Sequence, residues 1–385
     1  MRILFIVNDL DNNPTAIVAK QFISGFQNLG FQLLVLSSTS ANNDKDCNLY
    51  NLIIPVPYKI LTVKDKISFI LTFKDILSNL INTKTLNKYY KTILEFDPQI
   101  ILTFASSDSF SIIELGNIIS LKFSIPHHIH ALDALPAPKC WNENYILRNA
   151  KINKIKKLLS RIQILTSTNY QMLEYQKKII NIKKSLFTAV MHNPISSSFV
   201  FCNKHIGKKK IIYIGDLNPN LKGRNGIEYY KSIIRLKDDT RFEFLFIGTS
   251  INVAKFFNTL FPLPGNIKFI SWVENTDDYI KDASLLIDID IDAKNDVFLS
   301  SKLIKYLNSD VPVLSITGEN SPASNIFAID GLGVVFVRHD SDQILNTIIN
   351  YEAIKLDLNI RKEFIERFKI KNLIKNLLNL YQFHK

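Results

Sequence analysis

The sequence is poor in the residues that build covalently or metal-stapled folds. Its 385 residues include three cysteines, Cys47, Cys140 and Cys202. They are odd in number, far apart and in no zinc-ligand spacing, which argues against structural zinc and points to a reduced, cytoplasmic chain. No apolar run reaches the roughly 18 uninterrupted residues that would span a bilayer. The run at residues 1–7 is too short for the apolar region of a signal peptide and is expected to form a first strand. No G-x-G-x-x-G follows that strand, so the dinucleotide-binding fingerprint is missing. Acids are outnumbered by bases, 35 to 47, for a net charge of +12. An anionic partner is therefore expected: nucleic acid, anionic lipid or a phosphorylated substrate. No recognisable module with interleaved aromatics accompanies the charge, which argues against nucleic acid.

What is present is globular throughout, 46% hydrophobic and free of low-complexity tracts. The length suits two separate cores, since single cores rarely grow past about 250–300 residues. The opening reads as strand, polar loop 8–14, helix 15–29 closed by Gly30, and strand 31–36, which starts a doubly wound α/β sheet. Residues 61–96 are helical in pattern, with Lys64, Lys66, Lys74, Lys84, Lys88 and Lys91 opposite an apolar stripe. This is either a solvated face or a surface for anionic membrane. The run Arg148, Lys151, Lys154, Lys156, Lys157 and Arg161, followed by Lys177, Lys178, Lys183 and Lys184, offers the same choice. His127, His128 and His130 crowd one segment, where His128 and His130 share an orientation on a strand. No acid or cysteine at a suitable spacing completes a metal site, so no metal is expected.

Residues 283–316 carry the densest signal. Residues 285–291 alternate apolar residues with Asp288 and Asp290 like a strand leaving a core, and Asp292 continues the period. Ser300 and Ser301 then stand at a helix start, where Ser is a preferred cap and free amides favour an anion. Lys302 follows in the first turn, where the helix dipole disfavours a cation, so a bound phosphate would explain it. The alternative is an ordinary capped helix. Upstream, a strand reaches Gly215 and runs into a loop bearing Lys222 and Arg224. Glycine allows close backbone approach, and a cation over a diphosphate stabilises leaving-group charge. The strand ending at Gly248 reads as another ligand edge. Trp272 reads as a base-stacking residue or, alternatively, a buried aromatic. The D-x-D tripeptides at 288–292 are common and do not suit a two-domain reading.

The segment SSKLIKYLNSDVPVLSI resembles the S-K-x-x-[DE]-Y-L-x-x-x-x-P-V motif of bacterial family 4 glycosyltransferases. The likeness extends diffusely along the chain in order, and is strongest over residues 211–316. It implies the GT-B fold: two Rossmann-like doubly wound domains facing a cleft, with a last helix crossing back. The first domain is expected over 1–200 with helix 361–385, the second over 205–360. The resemblance implies retaining, metal-independent transfer of a hexose from a nucleotide-sugar to a glycan or lipid-linked acceptor in surface polysaccharide, lipopolysaccharide or capsule synthesis. No cofactor is expected. The enzyme would be cytoplasmic or peripheral on the anionic inner-membrane surface. Gly215, Lys222, Arg224, Gly248, Trp272, Ser300, Ser301, Lys302 and Lys305 would line the donor site. Arg224 and Lys302 would act on the leaving group, and His130 and Asp133 would touch the sugar. The family's ribose-holding acid is here Lys305. That departure motivates an alternative, a non-catalytic GT-B protein that binds sugar-nucleotide or a partner enzyme.

Overall fold

The computed structural model describes residues 1–11, 13–39, 49–53, 83–107, 109–141, 145–181, 186–195, 197–203, 207–217, 226–273 and 275–382. Lys222 and Arg224 lie outside the described residues, as do Cys47, Lys64, Lys66, Lys74, Lys183 and Lys184. The chain divides into two compact units, one of Met1–Ser196 with Ile370–Lys385 and the other of Ser197–Lys369.

The first unit holds a parallel sheet of seven strands: β1 (Arg2–Ile6), β2 (Gln32–Ser37), β3 (Leu49–Ile53), β4 (Ile100–Ala105), β5 (His127–Ala131), β6 (Ile164–Ser167) and β7 (Phe187–Val190). They lie in the order β3-β2-β1-β4-β5-β6-β7. β1 and β2 are near-continuously apolar because helices cover both faces of a parallel sheet, and Ile3 to Val7 are fully buried. Helix Pro14–Asn28 begins with proline and is capped by Asn13, whose Oδ1 accepts from the Ala16 amide at 2.9 Å. Phe22 and Phe26 of that helix pack with Ile374, Leu377 and Tyr381 over Phe5 and Phe104. On the other face, Tyr89, Ile93 and Ile112 cover Leu4 and Ile6.

Two sequence expectations change here. The basic run on helix Tyr145–Leu159 is not a solvated face along its length. Lys151 and Lys154 are buried, and Lys154 pairs with Glu114 at 3.3 Å. The single long helix expected to begin at Arg361 is two helices, Leu358–Ile365 and Ile370–Gln382. A 3-10 turn at Glu366–Phe368 and extended backbone at Lys369 separate them. The break assigns the two helices to different units.

The second unit repeats the pattern with β8 (Lys209–Ile214), β9 (Phe242–Ile247), β10 (Ile267–Ile270), β11 (Leu285–Ile289), β12 (Val313–Ile316) and β13 (Val334–Val337), ordered β10-β9-β8-β11-β12-β13. Two doubly wound parallel sheets give the α/β class and the GT-B architecture expected from the sequence. Strand order reverses between β1 and β4, and again between β8 and β11. Open α/β sheets bind ligands outside the carboxyl ends of the strands at such a reversal. The stretches that follow β8 and β11 are therefore the place to look for chemistry.

Candidate functional site

β8 ends at Ile214 and runs into Gly215, whose φ of +134° is a conformation that side chains resist. A Cβ on Gly215 would sit 2.5 Å from Cε of Lys302. Lys302, in the first turn of helix Ser301–Leu307, thus lies directly against the glycine backbone. Its Nζ donates to the Tyr213 hydroxyl at 2.9 Å and lies 4.8 Å from the centre of that ring. The Tyr213 hydroxyl in turn donates to the Asp216 carbonyl at 3.1 Å. The Thr249 hydroxyl donates to the Gly215 carbonyl at 2.7 Å, and the Ser250 amide donates to Asp216 Oδ1 at 3.0 Å. Gly248, with φ of +75°, lets the β9 loop close on Gly215. The result is a cradle of glycine backbone, hydroxyls and one oriented ammonium at the reversal point.

Ser300 occupies the N-cap position but does not cap. Its hydroxyl donates to Asp288 Oδ1 at 2.7 Å, and the Ser315 hydroxyl donates to Asp288 Oδ2 at 3.0 Å. Asp288 is fully buried on β11, so the two serines satisfy a carboxylate that would otherwise be costly there. Ser300 therefore anchors the helix start, and Ser301 is the exposed serine. One turn on, the buried Tyr306 hydroxyl accepts from the Ile214 amide at 3.0 Å. Burial and Asp288 hold the Tyr306 phenol well above its ordinary range. Arg361 locks the end of the same helix: fully buried, it donates to the carbonyls of Ser309, Val311, Leu332 and Gly333 at 2.6–3.0 Å.

Lys305 faces outward and pairs with Asp277 at 3.1 Å, while donating to the Thr276 hydroxyl at 2.6 Å. A carboxylate therefore stands beside the position where the sequence lacks one. Trp272, just past β10, is 63% exposed, which overturns its reading as a buried aromatic. Tyr213, Asp216, Thr249, Thr276 and Asp277 were not singled out by sequence reasoning. Their long-range partners lie 28 to 89 residues away, and no local pattern marks them.

In the first unit, the histidine segment is core. His127 donates from Nδ1 to Asn117 Oδ1 at 2.9 Å and meets the Thr103 hydroxyl at 2.8 Å. His128 and His130 share Thr166 Oγ1 at 2.8 and 3.0 Å, the like orientation expected of strand neighbours. His130 is fully buried, edge-on to Phe104, with Nε2 unpartnered. Desolvation pushes His127 and His130 down to about 3. His130, expected from the resemblance to touch the sugar, is thus buried within the sheet because β5 extends through it. Asp133 follows the strand and is half-buried. Among the described residues no group of three or more His, Cys, Asp or Glu is placed to hold a metal. None of the described helices is long and apolar enough to cross a membrane.

No family model matches the chain, and no curated protein matches it in sequence. Solved structures do match its fold over nearly its whole length. One is a lipopolysaccharide outer core galactosyltransferase, WaaB, 14% identical, with 100% of both chains covered and a TM-score of 0.65. Another is the Anabaena protein HepE in complex with UDP-glucose, 11% identical, with 99% of both chains covered and a TM-score of 0.70. A glycosyltransferase from Rickettsia africae is 10% identical, covers 99% of this chain and 97% of its own, and has a TM-score of 0.67. At these identities the likeness is one of fold.

Proposed function

We propose that this chain is a glycosyltransferase that takes a hexosyl group from a nucleoside-diphosphate sugar bound on the second unit. It passes the sugar to a glycan or lipid-linked acceptor during assembly of a surface polysaccharide such as lipopolysaccharide. The observation that carries this reading is Lys302, an ammonium fixed by Tyr213 at the strand reversal, beneath a glycine that leaves no room for a side chain. A doubly charged diphosphate is the ligand class that such a cradle suits, and fold neighbours named for a galactosyltransferase and for UDP-glucose support it.

Breaking the bond from the sugar anomeric carbon to the phosphate places negative charge on the departing diphosphate. Lys302 stabilises that charge without reorganising, because Tyr213 already holds it. The family resemblance implies further cations from Lys222 and Arg224, and Arg can make paired hydrogen bonds to phosphate. Ser301 contributes a hydroxyl donor, while Thr249, whose hydroxyl donates to the Gly215 carbonyl, holds the cradle in shape. Retention follows if the acceptor oxygen attacks on the face that the phosphate leaves, with a phosphate oxygen taking the acceptor proton. No side-chain base is then used, and the positive charge comes from side chains rather than a metal. Trp272 offers an exposed aromatic face for the base. Asp277, held by Lys305, offers a carboxylate to the ribose hydroxyls in place of the missing acid. This makes the catalytic reading preferable to the non-catalytic one.

A thermal-shift titration against UDP, GDP, ADP and CMP, with and without magnesium, tests the donor assignment. A ligand at about 100 times its dissociation constant adds roughly 2.7 kcal/mol of stability. One diphosphate is expected to raise the melting temperature and quench Trp272 fluorescence. Lys302→Met is expected to weaken that ligand on the order of 10- to 100-fold, the worth of a charge-assisted hydrogen bond. If none of the nucleotides shifts the wild type, the donor assignment is wrong.

A further inference from the structure

Four helices of the first unit, Thr83–Phe96, Phe110–Phe123, Tyr145–Leu159 and Tyr170–Ile180, each lead into one of the parallel strands β4 to β7. Right-handed crossovers stepping in one direction put all four on the same face of the sheet. Because each runs antiparallel to its strands, all four end at the amino edge of the sheet. Side-chain contacts confirm that they are neighbours in this order. Tyr90 meets Phe123 with ring centres 5.6 Å apart, Asn117 Nδ2 donates to the Leu158 carbonyl at 3.0 Å, and Arg148 donates to the Tyr175 hydroxyl at 3.0 Å.

The last turns of these helices form an unusual rim. Leu94 is 67% exposed and Leu121 is 64% exposed, on adjacent helices. Lys122, beside Leu121, lies over the Tyr90 ring at 4.5 Å. Lys156, Lys157, Arg161 and Lys178 are exposed along the continuation of the same edge. None of these five cations has a carboxylate within ion-pair reach among the described residues, whereas Lys154, farther back on its helix, is buried against Glu114. The acids of the rim are already taken: Glu95 lies 3.9 Å from Lys91, and Asp97 pairs with Arg2. The charge is one-sided, and two large aliphatic side chains project from it.

We propose that this rim docks on an anionic lipid bilayer, with Leu94 and Leu121 entering the interface and Lys122, Lys156, Lys157, Arg161 and Lys178 meeting lipid phosphates. The charge complementarity selects the partner. Cations near an anionic membrane surface each add attraction, and exposed aliphatic side chains add apolar burial that a soluble polyanion does not reward. Four of the five cations belong to the second basic run expected from the sequence, from which the inward-facing Lys151 and Lys154 drop out, and Lys122 and the two leucines join them. The inference stands independently of the sugar-transfer reading.

Co-sedimentation of the full chain with vesicles of phosphatidylcholine alone, and of phosphatidylcholine mixed with phosphatidylglycerol, provides the test. Binding to the mixed vesicles and not to the neutral ones is expected, weakening as salt rises. The triple variant Lys122→Glu, Lys156→Glu, Lys157→Glu is expected to lower partitioning at least about tenfold. The double variant Leu94→Ser, Leu121→Ser, which leaves every charge in place, is expected to lower it about tenfold as well. All substitutions are at exposed positions, and unchanged melting temperatures would show that the variants fold. Equal binding to neutral vesicles overturns the proposal. So does wild-type partitioning by the charge variant. Loss with the charge variant but not with the leucine variant would mark a polyanion-binding face and also overturn it.

Discussion

His127 and His130 have their rings shut inside the first sheet, and that burial makes folding pH-dependent. Both are held at about 3 by desolvation, against an ordinary value of 6.5. Between those two values the unfolded chain binds a proton on each ring that the folded chain refuses. Stability is therefore complete above about pH 6.5 and falls as pH drops towards 3, by roughly 1.4 kcal/mol per pH unit for each histidine. Denaturant melts of wild type and His127→Gln at a series of pH values check this. The difference between the two curves is expected to shrink as pH falls through that window, since the variant lacks one of the two protonations. Alternation in the sequence was enough to give His128 and His130 a common orientation. It was silent on their burial, because the Thr166 that joins them lies 36 and 38 residues away and Tyr381, which meets His128 at 2.8 Å, lies 253 residues away. Trp272 shows the opposite failure, an aromatic that packing left outside.

At the scale of elements, helix Ser301–Leu307 shows how far a motif carries. Its start was legible in Ser300, Ser301 and Lys302. The use of Ser300 was not, since Asp288, the acceptor that draws its hydroxyl hydrogen, sits on a neighbouring strand, and no helix amide is capped by that hydroxyl. The Lys305–Asp277 pair gives a sharp prediction at this scale. It is a partly exposed pair at the surface, so Asp277→Asn should change stability by about 1 kcal/mol or less. If Asp277 meets the ribose, the same change should weaken the nucleoside diphosphate roughly tenfold, while inorganic pyrophosphate binds as before. Isothermal titration of both ligands separates the two. Equal loss for pyrophosphate would place Asp277 away from the ribose.

For the whole molecule, the chain order of the first unit is discontinuous, because residues 370–385 return to it after the second unit is complete. Leu373, Ile374, Leu377, Leu380 and Tyr381 are buried there against the helix Pro14–Asn28 and β1 cluster. Each such side chain is worth about 1.5–3 kcal/mol, and together they rival the 5–15 kcal/mol that holds a domain folded. Truncation after Lys369 is expected to abolish the calorimetric transition of the first unit. The transition of the second unit should persist and should still respond to the diphosphate. The sequence by itself determined the α/β class, the number of doubly wound sheets and the turn on which Lys302 stands, because strand alternation, helix periodicity and turn residues act over a few neighbours. Only the tertiary structure decided which lysines face solvent, which serine is tied to a buried carboxylate and which acid stands beside Lys305. Those outcomes depend on competition between groups tens to hundreds of residues apart for the same buried space and the same hydrogen bonds.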